Sequence, residues 1–426
     1  SKDRVKVDCE HFRSCGGCVF RHISYEAEKE LKRQKVVDAF QRLAHMDVPV
    51  KDIITCETER YRNKAQYPVG FDKGIVAGFY AQKSHRIINS SDCALQPEIF
   101  SRIVDVIKDW MREFGITAYD SINHTGLVRH IYIRKAFNTG EIMVCLVING
   151  DRIFKENELI SALTKGNSNI KTVLLNFNTE NTNVIMGKKE KVLYGKGYIE
   201  DILCGKRFRI SPLSFYQVNH DQAESLYGKA AEFAITPDTK VLLDMYCGAG
   251  TIGLTMADKV DSLIGVEIVP EAIEDAKINA QLNGTENARF ICGDAAEAAK
   301  PLENEGIKPD TVILDPPRKG CDSGLLETVV KMDPERIVYV SCDPATLARD
   351  LAILEENGYK TQKAIPFDLP SLLTAQDKFD ILIHEYKKTF SYEALTELIR
   401  EDTILVSVCS CIRYISLSIR TPHFLH

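Results

Sequence analysis

The chain has 426 residues, is 44% hydrophobic and 27% charged, and carries a formal net charge of −6. Its length predicts two or three domains, and its ordinary composition excludes a disordered, collagen-like or coiled-coil chain. No apolar run reaches the roughly 18 residues of a membrane span, and the polar start Ser1–Arg4 predicts no secretory signal. The 13 cysteines are an odd number spread over a long chain, so we expect a cytoplasmic protein whose free thiols are available for metal binding or catalysis.

The charge is distributed unevenly along the chain. Residues 1–205 hold 31 Lys and Arg against 26 Asp and Glu, whereas residues 206–426 hold 23 against 34. A basic half joined to an acidic half indicates a nucleic-acid-binding module attached to a second functional unit. An uneven scatter of solvated charges would give the same counts, so charge alone leaves both interpretations open.

Three cysteines lie close together near the N-terminus, in the pattern Cys9-x5-Cys15-Gly-Gly-Cys18. The two glycines let the backbone fold tightly around a bound centre. Three close thiolates with a distant fourth are typical of an iron–sulfur cluster or a structural zinc site, and the single C-x2-C pair favours iron–sulfur. The best candidate for the fourth ligand is Cys93. Ordinary buried thiols are the alternative interpretation.

The next segments predict a helix followed by a β-rich region. Ser24 is a candidate N-cap, and the charge order after it predicts a helix over residues 25–44. Short β-prone runs separated by Gly and Asn turns then predict five strands: Gln66–Phe71, Ile75–Tyr80, Val128–Arg134, Glu141–Ile148 and Thr172–Asn176. Cations and aromatic residues near strand ends, in Tyr61–Lys64 and Thr125–His130, could contact RNA phosphates and bases. A solvated β surface would show the same mixture.

After about residue 206, strands alternate with helices, which is typical of an α/β sheet. The strand Lys240–Asp244 is followed by Gly248, Gly250 and Gly253 in G-x-G-x-x-G spacing. Glycines at this position allow a ligand to approach the backbone closely. The motif alone is weak evidence, and the strands after it decide its meaning.

Two acidic residues follow the next strands and complete a predicted adenosine pocket. The strand Ser262–Glu267 ends in an acid that can accept both hydrogen bonds from a ribose diol. A third strand, Arg289–Cys292, leads to Asp294, which is placed to meet an adenine edge. An α/β fold with unliganded loops remains the alternative.

Two further loops carry reactive side chains at strand ends. The strand Thr311–Leu314 leads into Asp315-Pro-Pro-Arg318, whose paired prolines hold Asp315 rigidly at the carboxyl edge of the sheet. The strand Arg336–Val340 leads into Ser341-Cys342-Asp343-Pro344, and a helix is predicted from about Ala345. Because ligands bind at this edge and a helix N-terminus favours thiolate, Cys342 is a candidate nucleophile.

Residues 9–368 together resemble the RNA uracil-C5 methyltransferases that use S-adenosylmethionine, in the iron–sulfur branch that acts on 23S ribosomal RNA. The resemblance depends on five motifs: Cys9-x5-Cys15-Gly-Gly-Cys18 with Cys93, Ser211-Pro-Leu-Ser-Phe-Tyr-Gln217-Val-Asn219, Asp244-Met-Tyr246-Cys-Gly248, Leu314-Asp315-Pro-Pro-Arg318 and Val340-Ser-Cys342-Asp-Pro-Ala-Thr-Leu-Ala-Arg349-Asp350. It implies an α/β, Rossmann-like methyltransferase domain at residues 206–368. It also implies an N-terminal iron–sulfur, β-rich RNA-binding region at residues 1–205, with the helix at 25–44 packed on the catalytic domain.

The same resemblance implies specific roles for individual residues. Cys342 would be the nucleophile, Asp315 would contact cofactor and uracil, and a [4Fe-4S] cluster would be held by Cys9, Cys15, Cys18 and Cys93. The implied cofactor contacts are Gln217, Tyr246, Gly248, Gly250, Thr251, Glu267, Asp294 and Asp315. The implied partner is RNA, most of all 23S ribosomal RNA, bound by a monomer without membrane association.

The family chemistry explains these residue types. Addition of the Cys342 thiolate to C6 of uracil makes C5 enolate-like, so that C5 can take the methyl group. A general base must then remove the C5 proton so that the thiolate can leave. The uridine must be turned out of its stack to reach these groups.

The sequence departs from the family pattern at both ends. Asp368 is followed by Leu-Pro-Ser rather than the Phe-Pro-x-Thr-x-His-x-Glu segment that carries the base, and Glu385 lies too far away to match. Residues 369–426 resemble nothing in the family, as a reading-frame change or a divergent replacement would produce. Only eight residues precede Cys9, so we expect this chain to lack the β-barrel domain of many relatives.

Three alternative functions are weighed against this interpretation. A nicotinamide-dependent iron–sulfur oxidoreductase would share the glycine motif and the ribose acid, but it leaves Asp315-Pro-Pro-Arg318 and Cys342 unexplained. An amino-group methyltransferase usually has an aromatic residue after the paired prolines, where this chain has Arg318. A non-catalytic RNA-binding or assembly factor is made credible by the missing base.

Overall fold

The computed structural model of the chain describes residues 2–90 and 92–368. The predicted tail, 369–426, and with it the missing-base position and Glu385, lies outside the described residues. Helix α1 spans Tyr25–Ala39 and continues as a π-helical turn over Phe40–Ala44. The Ser24 hydroxyl caps it by accepting a hydrogen bond from the Ala27 amide at 3.3 Å. The helix predicted over residues 25–44 is therefore confirmed.

The N-terminal half is built on a seven-stranded sheet in the order β3-β2-β1-β4-β5-β6-β7. Its elements are β1 (Lys64–Phe71), β2 (Ile75–Tyr80), β3 (Ile87–Asn89), α2 (Glu98–Glu113), β4 (Val128–Lys135), β5 (Ile142–Ile148), α3 (Glu156–Thr164), β6 (Ile170–Phe177) and β7 (Lys189–Gly195). Neighbouring strands are antiparallel except β5 and β6, which α3 connects as a parallel crossover. All five predicted strands are confirmed, whereas α2, α3, β3 and β7 were not predicted.

The two faces of this sheet bury side chains against different partners. Because side chains alternate along a strand, Ile131 and Ile133 of β4 face the core formed with α2, while Tyr132 and Arg134 face the opposite way. Tyr132 belongs to a second core that it shares with Tyr227 and Leu242 from the C-terminal half. The sheet is thus a middle layer that joins the two halves of the chain.

A short hairpin and a parallel sheet form the C-terminal half. Its elements are β8 (Ile199–Leu203), β9 (Lys206–Ile210), α4 (His220–Ala234), β10 (Val241–Met245), α5 (Thr251–Leu254), β11 (Ser262–Glu267), α6 (Pro270–Leu282), β12 (Ala288–Cys292), α7 (Ala295–Asn304), β13 (Thr311–Leu314), α8 (Ser323–Met332), β14 (Arg336–Tyr339) and α9 (Pro344–Glu356). The strands β10–β14 pair in parallel in the order β12-β11-β10-β13-β14. Strands β11 and β12 lie on one side of β10, whereas β13 and β14 lie on its other side. The strand order therefore switches sides between β10 and β13, and open α/β sheets bind ligands at such a switch point. All five predicted strands and the α/β class are confirmed.

The N-terminal segment also reaches the far edge of the C-terminal half. The Lys51 amide donates to the Ala364 carbonyl at 2.9 Å, and the Asp368 amide donates to the Ile54 carbonyl at 2.9 Å. Phe40, which is 1% exposed, packs in a small core with Ala348 of α9. The N-terminal segment and α9, the helix after Cys342, therefore pack against each other.

Within residues 2–90 and 92–368, no helix has the length and apolarity needed to cross a bilayer.

We expect Phe40→Ala to lower the free energy of unfolding by about 3–5 kcal/mol, because it removes a buried aromatic ring between the π-helical turn and α9. Urea unfolding followed by far-ultraviolet circular dichroism measures this loss. Leu31→Ala, at a 55% exposed position on α1, is the matched control and should cost less than about 0.5 kcal/mol. A loss at Phe40 as small as that of the control would contradict the packing of α1 on α9.

Candidate active site

One cleft of about 2190 Å³ collects most of the predicted site residues at the carboxyl edge of the parallel sheet. Its lining includes Gln217, Tyr246, Gly248, Glu267, Asp294, Asp315 and Cys342. Gly250 and Thr251 lie behind this lining, where Gly250 caps the N-terminus of α5 and Thr251 begins it. The cleft also has side chains from the N-terminal half, among them Arg62 and Lys64.

The turn after β10 forms the floor of the cleft. Tyr246 has a φ of 65°, a left-handed conformation that is uncommon for a residue with a side chain, and Gly248 and Gly250 are left-handed as well. A Cβ atom at Gly248 would meet nothing within 4 Å, so the backbone there faces open space. Beneath the turn, the buried Asp244 carboxylate accepts a hydrogen bond from the Gly253 amide at 2.9 Å and holds the loop to the sheet. The turn thus presents bare backbone to a ligand.

Glu267 and Asp294 lie beside this turn, and their carboxylates can accept further hydrogen bonds from a ligand. The Glu267 carboxylate accepts hydrogen bonds from the Gly248 amide at 3.1 Å and from the Val269 amide at 2.9 Å. Since a carboxylate has about four acceptor sites, roughly two remain for a ligand. The exposed Asp294 accepts from the Ala296 amide at 3.0 Å through Oδ1, at the start of α7. Both acids are fixed by backbone amides yet open to the cleft.

The loop that carries Gln217 is held in place by the N-terminal sheet. The Asn63 side-chain amide donates to the Gln217 carbonyl at 2.7 Å, and the Tyr132 hydroxyl donates to the Pro212 carbonyl at 3.0 Å. The Arg134 guanidinium, which is 1% exposed, donates to the Ser211 carbonyl at 3.1 Å and the Ser214 carbonyl at 2.9 Å. These bonds are made to main-chain oxygens, so they leave the Gln217 side chain free to face the cleft.

Asp315 begins the loop after β13 and has an unusual carboxyl group. Burial raises the pKa of Asp315 to about 7. Its carboxyl therefore carries a proton in a sizeable fraction of molecules near neutral pH, and it can both donate and accept a hydrogen bond. Asp315 and Cys342 interact electrostatically, as expected for neighbours across the cleft.

A buried carboxylate ties the Asp315 loop to the helix after Cys342. The Asp350 carboxylate of α9 is fully buried and accepts hydrogen bonds from the Cys321 amide at 2.7 Å and the Tyr339 hydroxyl at 2.6 Å. Its neighbour Arg349 donates to the Lys319 carbonyl at 2.9 Å. A Cβ at Gly320 would come within 2.6 Å of the Asp350 carboxylate, so only glycine fits this approach. These contacts set the position of the Asp315 loop relative to Cys342.

Cys342 lies one residue before the N-cap of α9, and its side chain is exposed to the cleft. Its pKa is nevertheless raised above the ordinary value, chiefly because neighbouring groups partly desolvate the thiol, with Asp315 and Asp343 adding to the effect. The Arg318 guanidinium acts the other way and lowers this pKa. Desolvation thus outweighs the groups that favour thiolate, among which Arg318 is the cation, and the contribution of the helix N-terminus stays a prediction.

The four N-terminal cysteines lie near one another. Burial, with Cys93, Cys15 and Cys9 adding to the effect, raises the pKa of Cys18 to about 12. Cys93 in turn interacts with Cys15 and Cys9, and Cys15 interacts with Cys9, so each thiol faces the other three. A backbone hydrogen bond from the Gly16 amide to the Tyr80 carbonyl at 3.2 Å holds this loop against β2. In the part of the chain that the structure describes, no three His, Cys, Asp or Glu side chains are arranged around a single metal-ion position.

The two basic segments expected to contact RNA lie in different environments, one at the cleft and the other in the protein interior. Arg62 and Lys64 of the first segment line the cleft. In the second, Arg129 is buried and donates to the Asn178 carbonyl at 2.7 Å, and burial lowers the pKa of His130 to about 4. The expectation of RNA contact is wrong for Arg129 and His130, because both side chains are buried inside the protein.

Phe215 was not predicted as a site residue. It lies in the Gln217 motif and is 69% exposed at the cleft.

Comparison with known proteins adds to this geometry. A family model described as tRNA (Uracil-5-)-methyltransferase matches residues 24–371. An uncharacterized RNA methyltransferase from Clostridium tetani is 47% identical over 371 residues, which cover 87% of this chain and 81% of the relative. Another from Halalkalibacterium halodurans is 45% identical over 372 residues, with the same coverage of both chains. The crystal structure of Pyrococcus abyssi tRNA (uracil-54, C5)-methyltransferase with S-adenosyl-L-homocysteine has a TM-score of 0.70 and 25% identity, covering 84% of this chain and 83% of that chain.

We expect alkylation of Cys342 by iodoacetamide to accelerate with pH through the neutral and alkaline range, because its pKa is raised. Arg318→Gln removes the cation that lowers this pKa, so it should move the midpoint to higher pH and slow alkylation at neutral pH about three- to tenfold. Mass spectrometry of the peptide that contains Cys342 measures the rate. Lys319→Gln is the matched control, and equal rates in the two variants would contradict the role of Arg318.

Proposed function

Because the chain belongs to the tRNA (uracil-5-)-methyltransferase family and has an α/β methyltransferase fold, we propose that it transfers a methyl group from S-adenosylmethionine to C5 of a uridine in 23S ribosomal RNA. The observation that carries the proposal is the single cleft that holds Cys342 and Asp315 beside the Gly248 turn and Glu267. The choice of ribosomal RNA depends on the resemblance of the N-terminal cysteine motif to the iron–sulfur branch of the family.

The cofactor assignment is supported by the fit of the turn after β10. S-Adenosylmethionine would supply an electrophilic methyl group carried on a sulfonium. Glu267 has acceptor capacity for the two ribose hydroxyls, and the open backbone at Gly248 allows the nucleoside to lie against the turn. Asp294 would meet the adenine edge, and the Gln217 amide, free of hydrogen bonds within the described residues, would meet the other end of the cofactor. Tyr246, Gly250 and Thr251 complete the proposed set by shaping the turn and the start of α5.

Cys342 is the proposed nucleophile. Its thiolate would form a bond to C6 of the uracil, and the electron pair of the C5–C6 double bond would move toward C5 and the neighbouring carbonyl. C5 would then form its bond to the methyl group as the bond between that methyl and the sulfonium sulfur breaks, and S-adenosylhomocysteine would leave as a neutral thioether. Because the pKa of Cys342 is raised in the free protein, the thiol must lose its proton during binding or reaction, and Arg318 is placed to stabilise the anion that results.

Asp315 is proposed to orient the uracil. With a pKa of about 7, its carboxyl can donate to a uracil carbonyl oxygen when protonated or accept from the N3–H when ionised. Either bond would hold the ring between Cys342 and the cofactor. The Asp350 and Arg349 contacts that fix this loop to α9 would hold the Asp315 carboxyl and the Cys342 thiol at a constant relative position. The uridine must be turned out of its stack to enter the cleft.

The last step restores the C5–C6 double bond of the uracil. A base takes the proton from C5, the electron pair re-forms the C5–C6 bond, and the sulfur of Cys342 leaves C6. The position that carries this base in the family falls within 369–426, outside the described residues. If no other group replaces it, the Cys342 adduct should accumulate.

We further propose that Cys9, Cys15, Cys18 and Cys93 hold a [4Fe-4S] cluster. The proposal is supported by the mutual proximity of the four partly buried thiols. In a four-iron cluster each thiolate binds its own iron atom, so the ligands need not converge on one ion position. The cluster would fasten the start of the chain to the loop before α2, beside the N-terminal sheet.

The proposed reaction is tested by mapping 5-methyluridine in 23S ribosomal RNA and in tRNA from cells with and without this chain. We expect at least one methylated 23S position to depend on the protein and to disappear with Cys342→Ala. Cys292→Ala, which changes an exposed cysteine near the same sheet edge, is the control and should retain the methylation. Dependence confined to tRNA would contradict the ribosomal target, and methylation that survives Cys342→Ala would contradict the nucleophile.

The cluster is tested by anaerobic reconstitution with iron and sulfide. We expect about four irons per chain and a broad visible absorption band for the wild-type chain, and loss of both in Cys18→Ala. Cys292→Ala should behave as the wild type. Binding of a single zinc ion, or the same iron content in Cys18→Ala, would refute the cluster without bearing on methyl transfer.

A further inference from the structure

Three cations lie close together where the N-terminal sheet faces the Gln217 loop, two of them at the cleft and the third, Arg134, buried beside them. Lys64 of β1 lies directly opposite Arg134 of β4 in the antiparallel register, so their side chains share one face of the sheet. Arg62, two residues before Lys64, forms an isolated bridge with Asn219. Arg62 and Lys64 both line the cleft that contains Cys342.

No carboxylate in the described part of the chain neutralises these charges, and the groups that interact favourably with Arg62 include the Cys93 and Cys18 thiols. Within residues 2–90 and 92–368, no carboxylate forms an ion pair with Arg62, Lys64 or Arg134, whereas Arg21, Arg60 and Arg207 are each paired with an acid. The Nη1 of Arg62 and the Nε and Nη2 of Arg134 are buried without a hydrogen-bond partner. Because an unpaired buried donor is costly, an acceptor on a ligand in the cleft would favour Arg62, which lines the cleft, whereas the 1% exposed Arg134 contributes its charge.

The arrangement is also unfavourable for the sheet itself. Like charges directly opposite on neighbouring strands destabilise the pairing. Burial, with the Arg134 and Arg62 cations adding to the effect, lowers the pKa of Lys64 to about 8. A site that concentrates positive charge at a structural cost, with donors left open beside a reaction cleft, is typical of a binding function.

We propose that Arg62 and Lys64, with the charge of the buried Arg134 behind them, form an oxyanion subsite that takes an RNA backbone phosphate next to the target uridine. The inference rests on the proposed function and deepens it by assigning a contact that positions the RNA. Guanidinium groups and an ammonium are the groups that proteins use for phosphate oxygens. The net positive charge of residues 1–205 would support the same contact over a longer range.

The carboxylate of the cofactor is the other oxyanion that could reach this wall, because the neighbouring Asn63 holds the Gln217 carbonyl. That carboxylate stands beside an ammonium group in the same amino-acid moiety, and three cations would repel the ammonium. A phosphodiester carries no such cation. The charge of the subsite therefore favours RNA, and the experiment separates the two sources.

The test compares Lys64→Met and Arg62→Gln with Lys171→Met, an exposed lysine on β6, in the full-length chain. Affinity for a single-stranded 23S fragment containing the target uridine is measured against salt concentration. Each cleft variant should reduce the slope of log affinity against log salt by about 0.7, whereas Lys171→Met should not change it. Lys64→Met should melt at or above the wild-type temperature without RNA, because it removes the charge opposite Arg134.

The outcomes separate the possibilities. Unchanged slopes in folded cleft variants would overturn the subsite. Unchanged slopes with weaker S-adenosylhomocysteine binding by calorimetry would assign the cations to the cofactor carboxylate and overturn the RNA contact. Smaller slopes with unchanged S-adenosylhomocysteine binding support the proposal. If the wild-type chain shows the salt dependence but forms no 5-methyluridine, the subsite stands and the proposed reaction fails.

Discussion

The structure depends on the contact between the N-terminal sheet and the main chain of the Gln217 loop. Arg134 is buried at this contact and donates to the carbonyls of Ser211 and Ser214, while Tyr132 and Asn63 hold Pro212 and Gln217. Because unpaired buried donors are costly, the two hydrogen bonds of Arg134 Nη1 hold the loop against the sheet. The same contact places the N-terminal cations at the cleft. The two halves are therefore parts of one site, and neither forms it alone.

A second constraint acts within the parallel sheet, where reactive groups come from separate strand ends. Asp315 follows β13 and Cys342 follows β14, and the buried Asp350 of α9 joins their loops. Glu267 in turn holds the Gly248 turn through a backbone amide. Each candidate group is thus oriented by a hydrogen bond or a rigid proline, which leaves its reactive atoms facing the cleft. This arrangement explains why few of these side chains are paired with one another.

Three strands, Ile75–Tyr80, Ser262–Glu267 and Thr311–Leu314, have the predicted bounds, because each is a short apolar run that begins directly after Gly or Asp. Helix α2 was missed although apolar residues recur along it at helical spacing. The sequence also predicted which motif residues lie together at the cleft, because parallel strands end at the same edge of a sheet. The burial of Arg129 and the raised pKa of Cys342 could not be predicted, because both depend on residues distant in sequence that only the fold brings together.

The central claim, that this cleft attacks a uridine through Cys342, is tested most directly by mass spectrometry of the protein after reaction. The full-length chain is incubated with S-adenosylmethionine and a uridine-containing 23S fragment, denatured, and digested with nuclease and protease. The account predicts a nucleotide covalently attached to the peptide that contains Cys342, which increases when turnover is slow. Formation of 5-methyluridine by the Cys342→Ala chain, or attachment to a different cysteine, would contradict it.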